Sequence, residues 1–188
     1  TLALRKTSPA ARGIRLRVKE ATPEQANQAL RDNTADLAIS SRVAFGFVGR
    51  PLIDIEYIAV AHPDNALFGL RRELTVHDLG TQCQLVISDS NDYFPVEADS
   101  QAARHARPWS VTSLERAVGV LKQGTGYAWL PRHLVQDSVG AGQLRVLPVA
   151  SGCSYTTPLY LSMGRPSAAD SAARGFAQSL HACSERYS

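Results

Sequence analysis

The residues best placed for chemistry in this sequence are polar side chains that follow short apolar runs. Ser40, Ser41 and Arg42 come after "DLAI", Ser88 after "LVI", and Thr112 and Ser113 after "WSV". Thr22 opens a helical segment that follows "IRLRV". In α/β proteins, ligands collect outside the carboxyl ends of strands, where helix starts offer free N–H groups and positive potential. Hydroxyl donors, two helix starts and one guanidinium favour an anion. The expected ligand is a small carboxylate-bearing metabolite, aromatic or not, with Arg42 supplying a charge-assisted hydrogen bond. Trp109 reads either as a wall of such a site or as a core residue. Thr22 and Ser113 read equally as plain helix caps.

Other chemistries find little support. Gly124-Thr125-Gly126 has the look of a phosphate cradle, but it follows a helix and precedes a strand. The helix end it touches is the negative one, which repels phosphate. Gly124 therefore reads as a left-handed C-cap. There is no G-x-x-x-x-G-K-[ST], no G-x-S-x-G and no serine with an evident base. The run Ser88-Asp89-Ser90-Asn91-Asp92 reads as a solvated loop rather than an acid/base pair. His133 reads as a helix-surface residue and His62 as a structural one. The five histidines and three cysteines (Cys83, Cys153 and Cys183) lack ligand spacing, so no metal and no cofactor is expected. No catalytic residue is assigned, and the chain is not expected to be an enzyme.

Composition narrows the class further. The 188 residues suffice for one large domain or two small lobes with a real core. The net charge of +3 comes from 17 Arg and 3 Lys against 17 acidic residues, scattered rather than clustered. That is no footprint for nucleic acid. Unframed cysteines suggest reduced thiols and a cytoplasmic setting. No apolar run is long enough to span a membrane, and no secretory signal pattern is visible.

Strands and helices must position these residues. "IRLRV" (14–18) alternates like a half-exposed strand. Thr22 as N-cap, Pro23 at the first helical position and Gln25 as capping-box partner start a helix that ends near Asn33. "DLAIS" (36–40) reads as a strand buried on both faces, and the short crossover implies that it pairs in parallel with 14–18. "LIDIEYIAVAHP" (52–63), "QLVIS" (84–88), "WSVTS" (109–113), "YAWLP" (127–131), "LRVLPV" and "PLYLSM" read as further strands. Helices are expected at 74–80, at 113–123 with Thr112 or Ser113 as cap, over "PRHLVQDSV", and near the C-terminus. The alternation argues for α/β architecture.

Together, "ADLAISSR", "IAVAHPDNAL", "VTSLERAVGVLKQGTGYAWLP" and "GQLRVLPV", in this order, resemble the effector-binding domain of a LysR-type transcriptional regulator. The resemblance covers nearly the whole chain from Ile14 onward. It implies an α/β fold of two Rossmann-like lobes joined by two crossover strands, as in type 2 periplasmic binding proteins, with the effector in the cleft between the lobes. Residues 1–60 and 162–188 would form lobe one, and 61–161 lobe two. The family's winged helix-turn-helix is not found here, so DNA contact is expected only through that missing domain. "TLALRK" reads as the end of the family's first helix or as its first strand, which leaves lobe one short at its N-terminus. The resemblance places effector contacts at matching positions, including the loop after "DLAI" (Ser40, Ser41 and Arg42) and the start of the lobe-two helix (Thr112 and Ser113). It also implies a homodimer or higher homo-oligomer, with helix 113–123 and the residues before Ile14 as its surface. No membrane partner is implied. The competing reading is a periplasmic solute-binding protein of a transporter.

Overall fold

The structure is a computed structural model and describes residues 16–87, 108–149, 154–164 and 170–184. The chain divides into two compact units, residues 1–55 with 157–188, and residues 56–156. Strands β2 (Gly49–Ala61) and β7 (Ser154–Met163) each run from one unit into the other. Among the described residues, no helix is long and apolar enough to cross a membrane.

In the first unit, α1 (Pro23–Arg31) starts as its sequence dictates. The Gln25 N–H donates to Thr22 Oγ1 at 3.2 Å, and the Thr22 N–H donates to Gln25 Oε1 at 3.1 Å. That reciprocal box satisfies two backbone donors that a helix start leaves orphaned. Leu30, fully buried, anchors the helix. Beyond it Asn33 turns the chain with φ +54, a left-handed conformation that asparagine tolerates.

Strand β1 (Leu37–Ser40) corrects two expectations. It pairs antiparallel with β7, Leu37 opposite Met163 and Ser40 opposite Tyr160. Residues 16–18 lie outside any strand, with Leu16 and Val18 exposed, so no parallel partner for β1 is seen among the described residues. Nor is β1 buried on both faces. Ala38 and Ser40 point inward while Ile39 is 47% exposed, the alternation of a strand covered on one side.

The second unit is built on β5 (Tyr127–Pro131), every residue of which is buried. It pairs antiparallel with β2 from Tyr57 to Ala61, and β6 (Arg145–Val146) pairs with the other edge of β2. β3 (Leu85–Ile87) and β4 (Trp109–Val111) form a parallel pair. One parallel bridge joins Gln84 to Tyr127. A second parallel bridge joins Leu74 to Val149, so among the described residues parallel pairing is confined to β3, β4 and these two bridges, while β2 pairs antiparallel with β5 and β6.

Alternation along β2 and β5 feeds two cores. On one face Ile58, Val60, Ala128 and Leu130 meet Ala117 and Leu121 of α3 (Leu114–Lys122) and Val135 of α4 (Arg132–Gly140). On the other, Ala59, Ala61, Tyr127 and Trp129 meet Leu67, Leu74, Leu79 and Leu147. Leu67 belongs to a 3-10 helix (Ala66–Leu70) and Leu79 to α2 (Val76–Gly80). Asn65 caps the 3-10 helix through its side-chain oxygen and donates its amide to the Gly126 carbonyl at 3.0 Å. α5 (Asp170–Ser184) closes the described chain.

Candidate effector site

In the first unit, the loop after β1 lies beside the first turn of α1. Ser40 is 8% exposed, and its Oγ accepts the Arg42 N–H at 3.2 Å. This turn carries the chain from the buried strand end to a half-exposed guanidinium. Arg42 Nη1 then lies 3.7 Å from Glu24 Oε1, with the side chains 52% and 66% exposed. Ser41 sits between Ser40 and Arg42, partly buried. The structure therefore brings Arg42 to the head of α1, where Thr22 is the cap. The Thr22 and Ser40 oxygens each accept a backbone N–H, and a hydroxyl in that role keeps its own hydrogen to donate.

The same loop continues through an apolar tip. Phe45 is 97% and Val48 81% exposed. Gly46 takes φ +87, and the Phe47 N–H closes the turn on Ala44 at 3.1 Å.

In the second unit, Ser113 is the N-cap of α3, its Oγ accepting the Arg116 N–H at 3.3 Å. That settles the choice between Thr112 and Ser113. Thr112 is exposed just before the cap. Trp109 is 57% exposed, so it is no core residue, although its N–H ties β4 to the Gln84 carbonyl at 2.8 Å. Ser88 lies outside the described residues, as do the residues before Ile14.

Gly124-Thr125-Gly126 is a joint and not a cradle. Gly124 has φ +88, and its N–H bonds the Leu121 carbonyl at 2.9 Å, which ends α3. Gly126 has φ +61 and leads directly into β5.

Nucleophile and metal chemistry gain nothing from the geometry. Burial pushes the Cys83 thiol above its ordinary range, which disfavours the reactive thiolate. The Asp64 N–H donates to His62 Nδ1 at 3.2 Å, a turn contact. Among the described residues, no group of three or more His, Cys, Asp or Glu side chains could hold a metal ion.

Three features escaped the reading of the sequence. Glu24 faces Arg42, and a carboxylate in the first turn of a helix was the available signal. Asp78 is gripped by Arg72 and Thr75. Among the described residues, buried Gln84 Nε2, Trp129 Nε1 and His181 Nε2 have no partner, and nothing in the sequence announces them.

A family model described as the LysR substrate binding domain matches residues 2–183. No match was found among curated proteins. Among solved structures, the regulatory domain of CcmR from Synechocystis PCC6803, in complex with 2-PG, is 18% identical with a TM-score of 0.79, over 97% of this chain and 89% of that one. The regulatory domain of MetR (NMB2055), a LysR family regulator from N. meningitidis, is 17% identical with a TM-score of 0.73, over 96% and 85%. Full-length LysG from Corynebacterium glutamicum with bound effector Arg is 16% identical with a TM-score of 0.72, over 97% of this chain and 62% of that one. The chain belongs to the LysR substrate-binding-domain family, the effector-binding domain of LysR-type regulators, and carries its α/β, type 2 periplasmic-binding-protein-like fold.

Proposed function

We propose that this domain senses a small carboxylate-bearing metabolite and passes its presence to a DNA-binding domain, as a homodimer or higher homo-oligomer in the cytoplasm, without catalysing a reaction. In the first unit the ligand is met by Arg42, by Ser40 and Ser41, and by Thr22 at the start of α1. In the second, Ser88, Trp109, Thr112 and Ser113 at the start of α3 are its counterparts. The observation that carries this reading is Arg42: the turn on Ser40 sets the guanidinium at the head of α1, half in solvent. A carboxylate there gains both a charge-assisted hydrogen bond and the positive end of the helix. The family match disfavours the solute-binding reading. The CcmR and LysG neighbours are described with 2-PG and with Arg bound, so this fold accommodates small molecules.

A thermal-shift screen with small carboxylates tests the proposal, because a ligand that binds only the folded state raises the melting temperature. For a ligand found this way, Arg42→Ala weakens binding about tenfold or more, the weight of a hydrogen bond between charged groups. A folded Arg42→Ala protein that binds as tightly as the parent sinks the assignment of Arg42.

A further inference from the structure

From the pairing of Arg42 with Glu24 we infer that the ligand is a zwitterion, an α-amino acid or a close analogue, with Arg42 taking its carboxylate and Glu24 its ammonium. This rests on the reading of Arg42 as the carboxylate anchor and sharpens it. The two charged groups lie 3.7 Å apart, each more than half exposed. An ion pair so exposed contributes little to folding, and it opens readily to an incoming ligand. The nature of the ligand decides whether opening it is favourable. A simple carboxylate that takes Arg42 leaves Glu24 without its cation and sets two like charges about 4 Å apart. A zwitterion leaves no charge unmatched: its carboxylate replaces Glu24 at Arg42, and its ammonium replaces Arg42 at Glu24. The contact of one pair of unit charges at 4 Å in water corresponds to about fivefold in affinity, so that is the preference expected for an amino acid over the matching 2-hydroxy acid. The backbone supports this role for the pair. Glu24 belongs to a helix whose start is held by the Thr22–Gln25 box, and Arg42 to a turn held by Ser40. Both charges thus stand on braced backbone.

The test uses the isotope-labelled chain at low salt, with L-alanine and L-lactate as one probe pair and L-phenylalanine and L-3-phenyllactate as another. The readout is the shift of the Arg42 side-chain N–H and of the Ser41, Arg42 and Glu24 amides along each titration. Each amino acid is expected to bind about fivefold more tightly than its hydroxy acid. Glu24→Gln should erase that preference while leaving the hydroxy acid bound at least as tightly as in the parent. Arg42→Ala should abolish the response to all four probes. Hydroxy acids that bind the parent as well as the amino acids do would overturn the zwitterion while leaving the carboxylate anchor standing. A parent whose Arg42 responds to none of the four overturns both. Glu24→Gln keeps the capping box, and its thermal midpoint shows whether it is folded.

Discussion

Gly126 stands against the main chain of Cys83: a Cβ placed on Gly126 would come within 2.1 Å of the Cys83 carbonyl oxygen. The next residue, Tyr127, donates its N–H to that same oxygen at 2.9 Å. The glycine is therefore a condition of docking the start of β5 beside β3. Gly124, two residues earlier, also has positive φ, yet an added Cβ there would meet nothing within 4 Å. The two glycines should respond differently. Gly124→Ala pays only for a left-handed residue, about 1 kcal/mol. Gly126→Ala adds a main-chain clash to the same strain and should cost about 3 kcal/mol or more. Urea denaturation of the two variants measures the difference. Equal losses would mean that the Cys83 carbonyl yields easily.

Asp78, in the second unit, should make stability depend on pH. Arg72 Nη1 and Nη2 donate to its two oxygens at 2.7 and 2.8 Å. The Thr75 N–H and hydroxyl donate to Oδ2 at 2.7 and 2.8 Å. The Arg72 contact first, and then the two from Thr75, hold this carboxyl well below its ordinary value of 3.8. A carboxyl with a depressed folded value stabilises the protein above the ordinary carboxylate range and loses that contribution as pH falls through it toward the folded value. The thermal midpoint of the parent should therefore fall more steeply than that of Asp78→Asn from about pH 5 to about pH 2, and the two curves should converge. Parallel curves would show that this carboxylate contributes no pH dependence.

What was legible in the sequence was what neighbours along the chain decide. Thr22, Pro23 and Gln25 specify the start of α1 within four residues, and the apolar spacing of Leu114, Ala117, Val118 and Leu121 specifies α3. Pairing between distant segments was not legible. The short crossover from 18 to 36 implied a parallel partner for β1, but β7, more than a hundred residues later, takes that place antiparallel. "LRVLPV" has the composition of a strand, yet Pro148 cannot donate to a ladder, so the strand is cut to Arg145–Val146, with Val149 making a single bridge to Leu74. In the candidate site, Arg42 was visible because charged residues after a strand end are informative. Its partner Glu24 was not, because an acidic residue in a first helical turn is ordinarily explained by the helix dipole.

Gln84 and Tyr127 share a buried side-chain hydrogen bond in the second unit. Tyr127, 2% exposed, donates its hydroxyl to Gln84 Oε1 at 3.2 Å, and Gln84 is itself 7% exposed. Burial also holds the Tyr127 phenol well above its ordinary range, so the donor stays protonated. Among the described residues, Gln84 Nε2 has no partner. Tyr127→Phe removes the only bond made by this side-chain amide among the described residues and leaves both of its ends unsatisfied, at a cost of about 1–2 kcal/mol. Replacing both partners by apolar groups of similar shape removes the unsatisfied atoms as well. The double variant Tyr127→Phe with Gln84→Leu should therefore be more stable than Tyr127→Phe alone, with a coupling energy of about 1 kcal/mol. Chemical denaturation of the parent, both single variants and the double variant closes the cycle. A double variant that loses the sum of the two single losses would show that the amide has its partners elsewhere, and that the tyrosine–glutamine bond is incidental to this core.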